Sequence, residues 1–431
     1  MSTDAELEQR LAELRQLMDA GAVAAARPKC EQLLLAYPKR PEPFKMAARL
    51  AALRADLATA GIRLVQALAL NPSDAAVAFD VAMLRFNQSD LEGAAQALAA
   101  ALALTPNSPD CWLLLGHVRQ QLGQQQCALK AWFQAIDRAQ SHGRWLDERS
   151  TPRALLPMVL AAMDALQSGR RALFEQSLAL VRDQVGADEL KRVDRALGSY
   201  LRLSNDAPRD ARQRPKFLFF PGLPEQPYHD PALHPWSTVL HEAYPDIRAE
   251  ALDLLGDEQN FESFLSFGPD AKVNEYVGGQ GPKPSWDAFF FYRHGQCFAT
   301  HHERCPKTSA ALESIDLCRI RDQAPEICFS VLAPGSHIKA HYGVTNTRLV
   351  MHLPLKIPRD CALNVIDGGE HSWQEGRLMM FDDTFQHEAW NRSDESRVIL
   401  LMDCWNPHLT AAEKLAVTSL VECISEFESR G

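Results

Sequence analysis

A chain of 431 residues is long for a single core, so two or more domains are expected. With 46% apolar and 23% charged residues it has an ordinary globular composition. Its 45 basic and 55 acidic residues give a net charge of -10, which argues against a broad nucleic-acid-binding surface or an anionic membrane as the main partner. No run of about eighteen apolar residues offers a membrane segment, and Met1-Ser2-Thr3-Asp4-Ala5-Glu6 is acidic where a secretory leader would be basic and then apolar, so a cytoplasmic location is expected. Ten cysteines without paired CxxC spacing read as reduced thiols, with a disulfide left open only between the neighbouring Cys297 and Cys305.

The N-terminal part repeats itself every 34 residues. Pro38, Pro72 and Pro106 form one column, Ala26, Ala60, Ala94 and Ala128 a second, and Gly21, Ala55, Ser89 and Gly123 a third. Small side chains at fixed points let antiparallel helices approach closely, and a proline after each pair stops the second helix. Residues 5–140 thus resemble tetratricopeptide repeats, with three clear copies and a partial fourth in which Gln140 fills the proline slot. Such an α-solenoid implies a concave surface for a peptide or protein, the plainer alternative being that the array caps or dimerises its neighbour. Residues 141–208 continue as helix and end in the polar linker Ser204-Asn205-Asp206-Ala207-Pro208-Arg209-Asp210.

In the third region, residues 209–431, the texture changes to short apolar runs separated by Gly, Pro, Asn and Asp. This predicts strands at 217–220, 288–292, 327–332, 348–355, 362–366, 377–381 and 397–403, then a helix over 410–428. Their spacing suits a double-sheet jelly roll. His341 and His387 lie in segments whose composition suits a strand rim. Neutral imidazoles bind divalent iron well, and a pair with open positions leaves room for a chelating cosubstrate and oxygen. The carboxylate that often follows the first histidine by two residues is replaced by Gly343. An arginine opening the last strand, Arg397, makes a sensible two-pronged anchor for a dicarboxylate.

Three segments, His341-Tyr342-Gly343-Val344-Thr345-Asn346-Thr347-Arg348-Leu349, Phe381-Asp382-Asp383-Thr384-Phe385-Gln386-His387-Glu388 and Asp403-Cys404-Trp405-Asn406-Pro407, resemble the aspartyl/asparaginyl β-hydroxylases, over about residues 217–415. The resemblance implies a double-stranded β-helix (cupin-like jelly roll) and an Fe(II)- and 2-oxoglutarate-dependent dioxygenase acting on a peptide or protein side chain. It implies iron on His341 and His387 with water in place of the carboxylate, Arg397 and Ser330 on the distal carboxylate of 2-oxoglutarate, and His352 close to that cosubstrate. At Val350 the animal members of the family carry an arginine that contacts the substrate carboxylate. Arg348, two residues earlier, is left as a candidate substrate-binding group, and a small molecule or lipid acyl chain stays open as substrate. Residues 260–307, where the resemblance is thinnest, are where substrate selection is expected.

Each residue also has a duller reading. His352 sits in an apolar strand as a core imidazole would, Ser330 is able to bond to backbone, and Arg397 has Asp394 and Glu395 close by as ion-pair partners. Asp382 and Asp383 offer either a ligand or a turn, with the turn or an indirect supporting role favoured. Neighbouring strand side chains face opposite ways, so His301 and His302 read as exposed loop residues. A barrel without activity beside a binding array remains the competing function class.

Overall fold

A computed structural model describes residues 3–265, 276–281 and 283–429. It divides into two compact units, one ending at Arg171 and one beginning at Ala172.

The first unit is built from helix pairs: α1 (Thr3–Asp19) with α2 (Val23–Ala36), α3 (Pro41–Leu53) with α4 (Leu57–Leu70), α5 (Ala75–Asn87) with α6 (Leu91–Leu104), and α7 (Pro109–Gln121) with α8 (Gln125–Ser141). The alanine column is buried in the packing, as its spacing predicts. The third column acts differently from the expectation. Gly21, Ala55, Ser89 and Gly123 all have positive φ, 56 to 74°, and a Cβ at Gly21 or Gly123 would meet nothing within 4 Å. These positions reverse the chain between paired helices in the left-handed conformation; they are not where helices touch. The caps repeat in phase as well. Asp56 and Asp90 accept amide bonds from Thr59 and Gly93, and Asp74 and Ser108 from Val77 and Cys111. The fourth pair is complete, not partial. With glutamine in the proline slot α8 runs 17 residues, where α2, α4 and α6 run 14.

α9 (Leu156–Val185) begins in the first unit and ends in the second. Within the second unit Phe174 packs edge-on against Tyr200 of α10 (Lys191–Tyr200) and Phe427 of α14 (Ala411–Glu428). α14 starts at Thr410, which forms a capping box with Glu413. No described helix is long and apolar enough to cross a membrane.

Two antiparallel sheets make the rest. The strands are β1 (Tyr228–His229), β2 (Glu262–Ser263), β3 (Val277–Gly279), β4 (Trp286–Arg293), β5 (Gln296–Cys297), β6 (Ile327–Leu332), β7 (Ser336–His341), β8 (Arg348–Lys356), β9 (Cys361–Val365), β10 (Gly369–His371), β11 (Met379–Phe381), β12 (His387–Asn391) and β13 (Arg397–Trp405). The larger sheet runs β1-β11-β8-β13-β6-β4-β2 with β5 beside β4; the smaller runs β10-β9-β12-β7-β3. Helices α11 (Ser237–Leu254), α12 (Ala299–Arg304) and α13 (Pro306–Glu313) belong to the same unit, and Leu240, Ile247 and Leu312 share a core with Phe329, Leu353 and Leu400 of the larger sheet.

Two expectations are corrected. Residues 217–220 form no strand: Leu218 makes an isolated bridge to Thr345, and the Phe220 amide bonds to the Asn346 side chain. The flanking Pro215 and Pro221 carry no amide hydrogen to extend a ladder. His301 and His302 lie on the short helix α12 and are half-buried, so the alternation rule does not apply to them. The His301 ring stacks on Phe289 at 3.9 Å and donates from Nδ1 to the Phe290 carbonyl. Cys297 and Cys305 are both free, the first exposed and the second buried. Within residues 260–307, positions 266–275 and 282 lie outside the described residues.

Two buried imidazoles in this unit give it a pH response. The His229 and His234 rings each leave Nε2 without a partner, and burial pushes both down to about 4. The folded state therefore binds these protons less readily than the unfolded chain, and the stability they contribute is present above pH 6.5 and lost as pH falls toward 4. His234→Phe, which retains the stack on Trp236, is expected to flatten the loss of stability measured by urea unfolding at pH 6.5 and pH 4.5. An unchanged pH difference would reject this role.

Candidate active site

β7 and β12 are paired neighbours in the smaller sheet, and their register sets His341 directly opposite His387, beside a bulge between His387 and Ala389. The ring centroids are 4.2 Å apart at 55°. Each Nδ1 donates to a backbone carbonyl two residues earlier, Lys339 O at 2.8 Å and Phe385 O at 2.9 Å. That fixes the tautomer and leaves the Nε2 lone pairs for a ligand. Burial, then the neighbouring His341, lowers His387 to about 3, and burial lowers His341 too, so both rings are neutral near pH 7 and suited to hold a divalent metal. The sequence names both residues, and the structure brings them together.

The place of the missing carboxylate is filled from elsewhere. A Cβ built on Gly343 would lie 2.0 to 2.1 Å from the carboxylate of Asp383, and the Gly343 amide donates to the Asp383 carbonyl at 2.6 Å. Burial first, then Asp382, raises Asp383 to about 7. Asp382 accepts from the Thr384 amide and hydroxyl and from Gln213, as a turn residue does. Among the described residues no group of three His, Cys, Asp or Glu is arranged to hold a metal. Gly343→Ala is expected to push Asp383 aside, with a cost of about 1 to 3 kcal/mol in urea unfolding and weaker Co(II) binding by the two imidazoles; an alanine variant with wild-type stability and Co(II) affinity would contradict this packing.

The imidazoles face a cavity of about 370 Å³ between the two sheets. Arg397, the first residue of β13, points into it and is 2% exposed. Its guanidinium lies over the Trp373 ring at 5.0 Å, and Nη1 makes a long bond, 3.4 Å, to Ser330 Oγ. Nε has no partner, and burial lowers the group to about 10. The surface alternative falls away, because Glu395 pairs with Lys356 at 2.9 Å and Arg397 forms no ion pair among the described residues. A buried cation without an anion is costly unless a ligand supplies one.

Ser330 also accepts from the Trp286 indole at 2.9 Å, so its hydroxyl is oriented by side chains and not by backbone. His352 lines the same cavity; its Nδ1 accepts from Trp373 Nε1 at 3.2 Å, which puts the ring proton on Nε2. Burial holds it well below its ordinary value, hence neutral. Trp373, which fixes the His352 tautomer and flanks Arg397, is the residue that the sequence reading missed. It lies between β10 and β11 in no recognisable motif.

Arg348 lines the cavity but already has a carboxylate partner, Asp403, and also donates to the Gln323 carbonyl. Val350, between Arg348 and His352 on the inward row of β8, adds an apolar wall.

Residues 241–407 match the family model described as Aspartyl/Asparaginyl beta-hydroxylase. The chain is 32% identical over 216 residues to a mouse protein named "Aspartate beta-hydroxylase domain-containing protein 2", covering 48% of this chain and 58% of that one. It is 32% identical over 192 residues to the "Ornithine lipid ester-linked acyl 2-hydroxylase" of Rhizobium tropici, covering 44% and 64%. It is 33% identical over 141 residues to the mouse "Aspartyl/asparaginyl beta-hydroxylase", covering 32% and 18%. The chain thus matches less than two thirds of the length of each of these relatives. Among solved structures, one titled "Crystal structure of YrrB: a TPR protein with an unusual peptide-binding site" aligns at 21% identity over 33% of this chain and 82% of that one, with a TM-score of 0.28. A "Crystal structure of MamA protein" aligns at 16% identity over 33% and 77%, with a TM-score of 0.30.

Proposed function

Because the C-terminal domain of this chain belongs to the aspartyl/asparaginyl β-hydroxylase family, we propose that the protein is an Fe(II)- and 2-oxoglutarate-dependent dioxygenase that hydroxylates an unactivated carbon. The observation that carries this reading is Arg397, a buried guanidinium without a counter-anion among the described residues, in the cavity that two neutral imidazoles face. The donor set fits the implied groups: two Nε2 lone pairs for iron, and a forked cation for the far carboxylate of a diacid.

Bound iron would supply oxygen activation coupled to oxidative decarboxylation of 2-oxoglutarate to succinate. The chain supplies the rest. His341 and His387 hold the metal, and Arg397 with Ser330 grips the distal carboxylate. His352 donates from Nε2 toward the cosubstrate. Val350, Phe381, Ile399 and Leu401 line the cavity with apolar surface that keeps water out.

The helical array supports a peptide or protein side chain as substrate, since stacked helix pairs offer an extended binding surface. A second reading, a non-acidic small molecule or acyl chain, is favoured by the pairing of Arg348 with Asp403 and by the apolar Val350, and agrees with the name of the Rhizobium relative. An inactive barrel is disfavoured, because a binding-only domain has no physical need to keep an unpaired buried cation. Protein incubated with Fe(II), 2-oxoglutarate and oxygen is expected to form succinate slowly without any added substrate and not at all without iron. Succinate that is absent, or independent of iron, would reject the assignment.

A further inference from the structure

The cavity has two chemically different ends. Inward-facing residues alternate along β13 as Arg397, Ile399, Leu401 and Asp403, so its far end lies six residues, roughly 20 Å of strand, from the diacid anchor. Between the ends the lining is apolar: Ile399 and Leu401 on β13 and Val350 on β8. The far end is polar and holds Arg348, Asp403 and Glu326.

Charge decides what this end can accept. Glu326, Asp383 and Asp403 line the cavity against Arg348 and Arg397, three carboxylates to two guanidiniums. Both cations are committed, Arg348 to Asp403 and Arg397 to the cosubstrate's distal carboxylate. Glu326 is left over. Its Oε2 accepts from the His294 amide at 2.9 Å, with the His294 ring a further 3.5 Å contact, while Oε1 has no hydrogen-bond partner among the described residues. Its backbone is clamped, since the Glu326 amide donates to Asp403 Oδ1 and its carbonyl accepts from the Asp403 amide. The Gln323 side chain at the same end is turned to Ser425, donating from Nε2 to its Oγ at 3.0 Å.

We propose that Glu326 is a specificity-determining residue, and that the substrate is an apolar chain carrying a protonated amine, with the amine held at the Glu326 end while the chain runs past Leu401 and Val350 toward the two imidazoles. The proposal rests on the oxygenase reading for which end of the cavity reacts. An acidic side chain at this position would meet a surplus carboxylate and an arginine already paired, an arrangement that rejects anions by like-charge repulsion.

The test uses the full chain without iron and with excess 2-oxoglutarate, so that Arg397 carries its diacid, decanoate cannot take that anchor, and no turnover occurs. Decylammonium, decanoate and decanol are titrated calorimetrically at pH 7.5 and physiological salt, each below its micelle concentration, into wild type and Glu326→Gln. Decylammonium is expected to bind wild type roughly tenfold or more tighter than decanoate, and Glu326→Gln to bring the two close to parity while decanol binding stays unchanged. Decanoate binding as well as the amine, no binding of any of the three, or a variant that keeps the full preference would overturn the proposal. The wild-type comparison decides the matter even if the variant fails to fold. Loss of succinate formation with the amine preference intact would remove the iron reading and leave the binding site.

Discussion

His387→Ala is expected to abolish iron-dependent 2-oxoglutarate turnover, a loss well beyond the roughly 10- to 100-fold typical of removing a residue that only supports a ligand. The reason is geometric. His387 shares the metal edge with His341 alone, and no third His, Cys, Asp or Glu among the described residues stands ready to replace it. The fold should be little affected, because His387 sits at the start of β12 beside a bulge and its ladder to β7 and β9 is made by backbone groups. Succinate formation and thermal unfolding, measured side by side, separate the two effects. Turnover at the wild-type level in a folded variant would remove the metal assignment.

Arg397→Met should move function and stability in opposite directions. Losing a charge-assisted, forked pair to the diacid costs about 2 to 3 kcal/mol, which is roughly a 30- to 150-fold rise in the 2-oxoglutarate concentration needed for half-maximal rate. The protein free of cosubstrate should become more stable by about 1 kcal/mol or more, because an unpaired buried cation is replaced by an apolar side chain of similar length. A structural arginine would behave otherwise. Removing one partner of a buried ion pair destabilises a protein, but among the described residues Arg397 has no carboxylate to abandon. A titration that gives the wild-type cosubstrate requirement would contradict the anchor role, and a large fall in stability would point to a structural one.

The architecture was legible where one sequence period maps to one structural unit. Columns 34 residues apart forecast the helix pairs, and the runs 327–332 and 397–403 forecast central strands, found at Ile327–Leu332 and Arg397–Trp405, because both faces of those strands are buried and their composition is nearly all apolar. The Gly21 column was legible in place but not in cause. Small size and left-handed φ select similar residues, and only backbone angles tell them apart. Residues 217–220 carry a strand's composition but lie between prolines and find only an isolated bridge, so tertiary context overrode propensity there.

The site followed the same division. His341, His387, Arg397, Ser330 and His352 all line one cavity; local segment or strand position had drawn attention to the first three, and the family resemblance to Ser330 and His352. What stayed hidden depends on contacts between distant segments. The Asp383 carboxylate occupies the space above Gly343, 40 positions earlier, and the Trp373 indole sets the tautomer of His352 from the far side of a hairpin. Asp403 pairs with Arg348 across 55 residues, and this pairing changes the substrate reading most, because a cation that looked free in the sequence is already matched.

The central claim is that two imidazoles and a buried guanidinium together hold a metal and a diacid. Its most direct measurement is an anaerobic titration of Fe(II) and 2-oxoglutarate into the protein, followed by visible absorption. A charge-transfer band of the iron-diacid chelate is predicted to grow to one equivalent in the wild type, to vanish in His387→Ala, and to need far more diacid in Arg397→Met. No band at saturating iron and diacid, or a band unchanged in both variants, would contradict it.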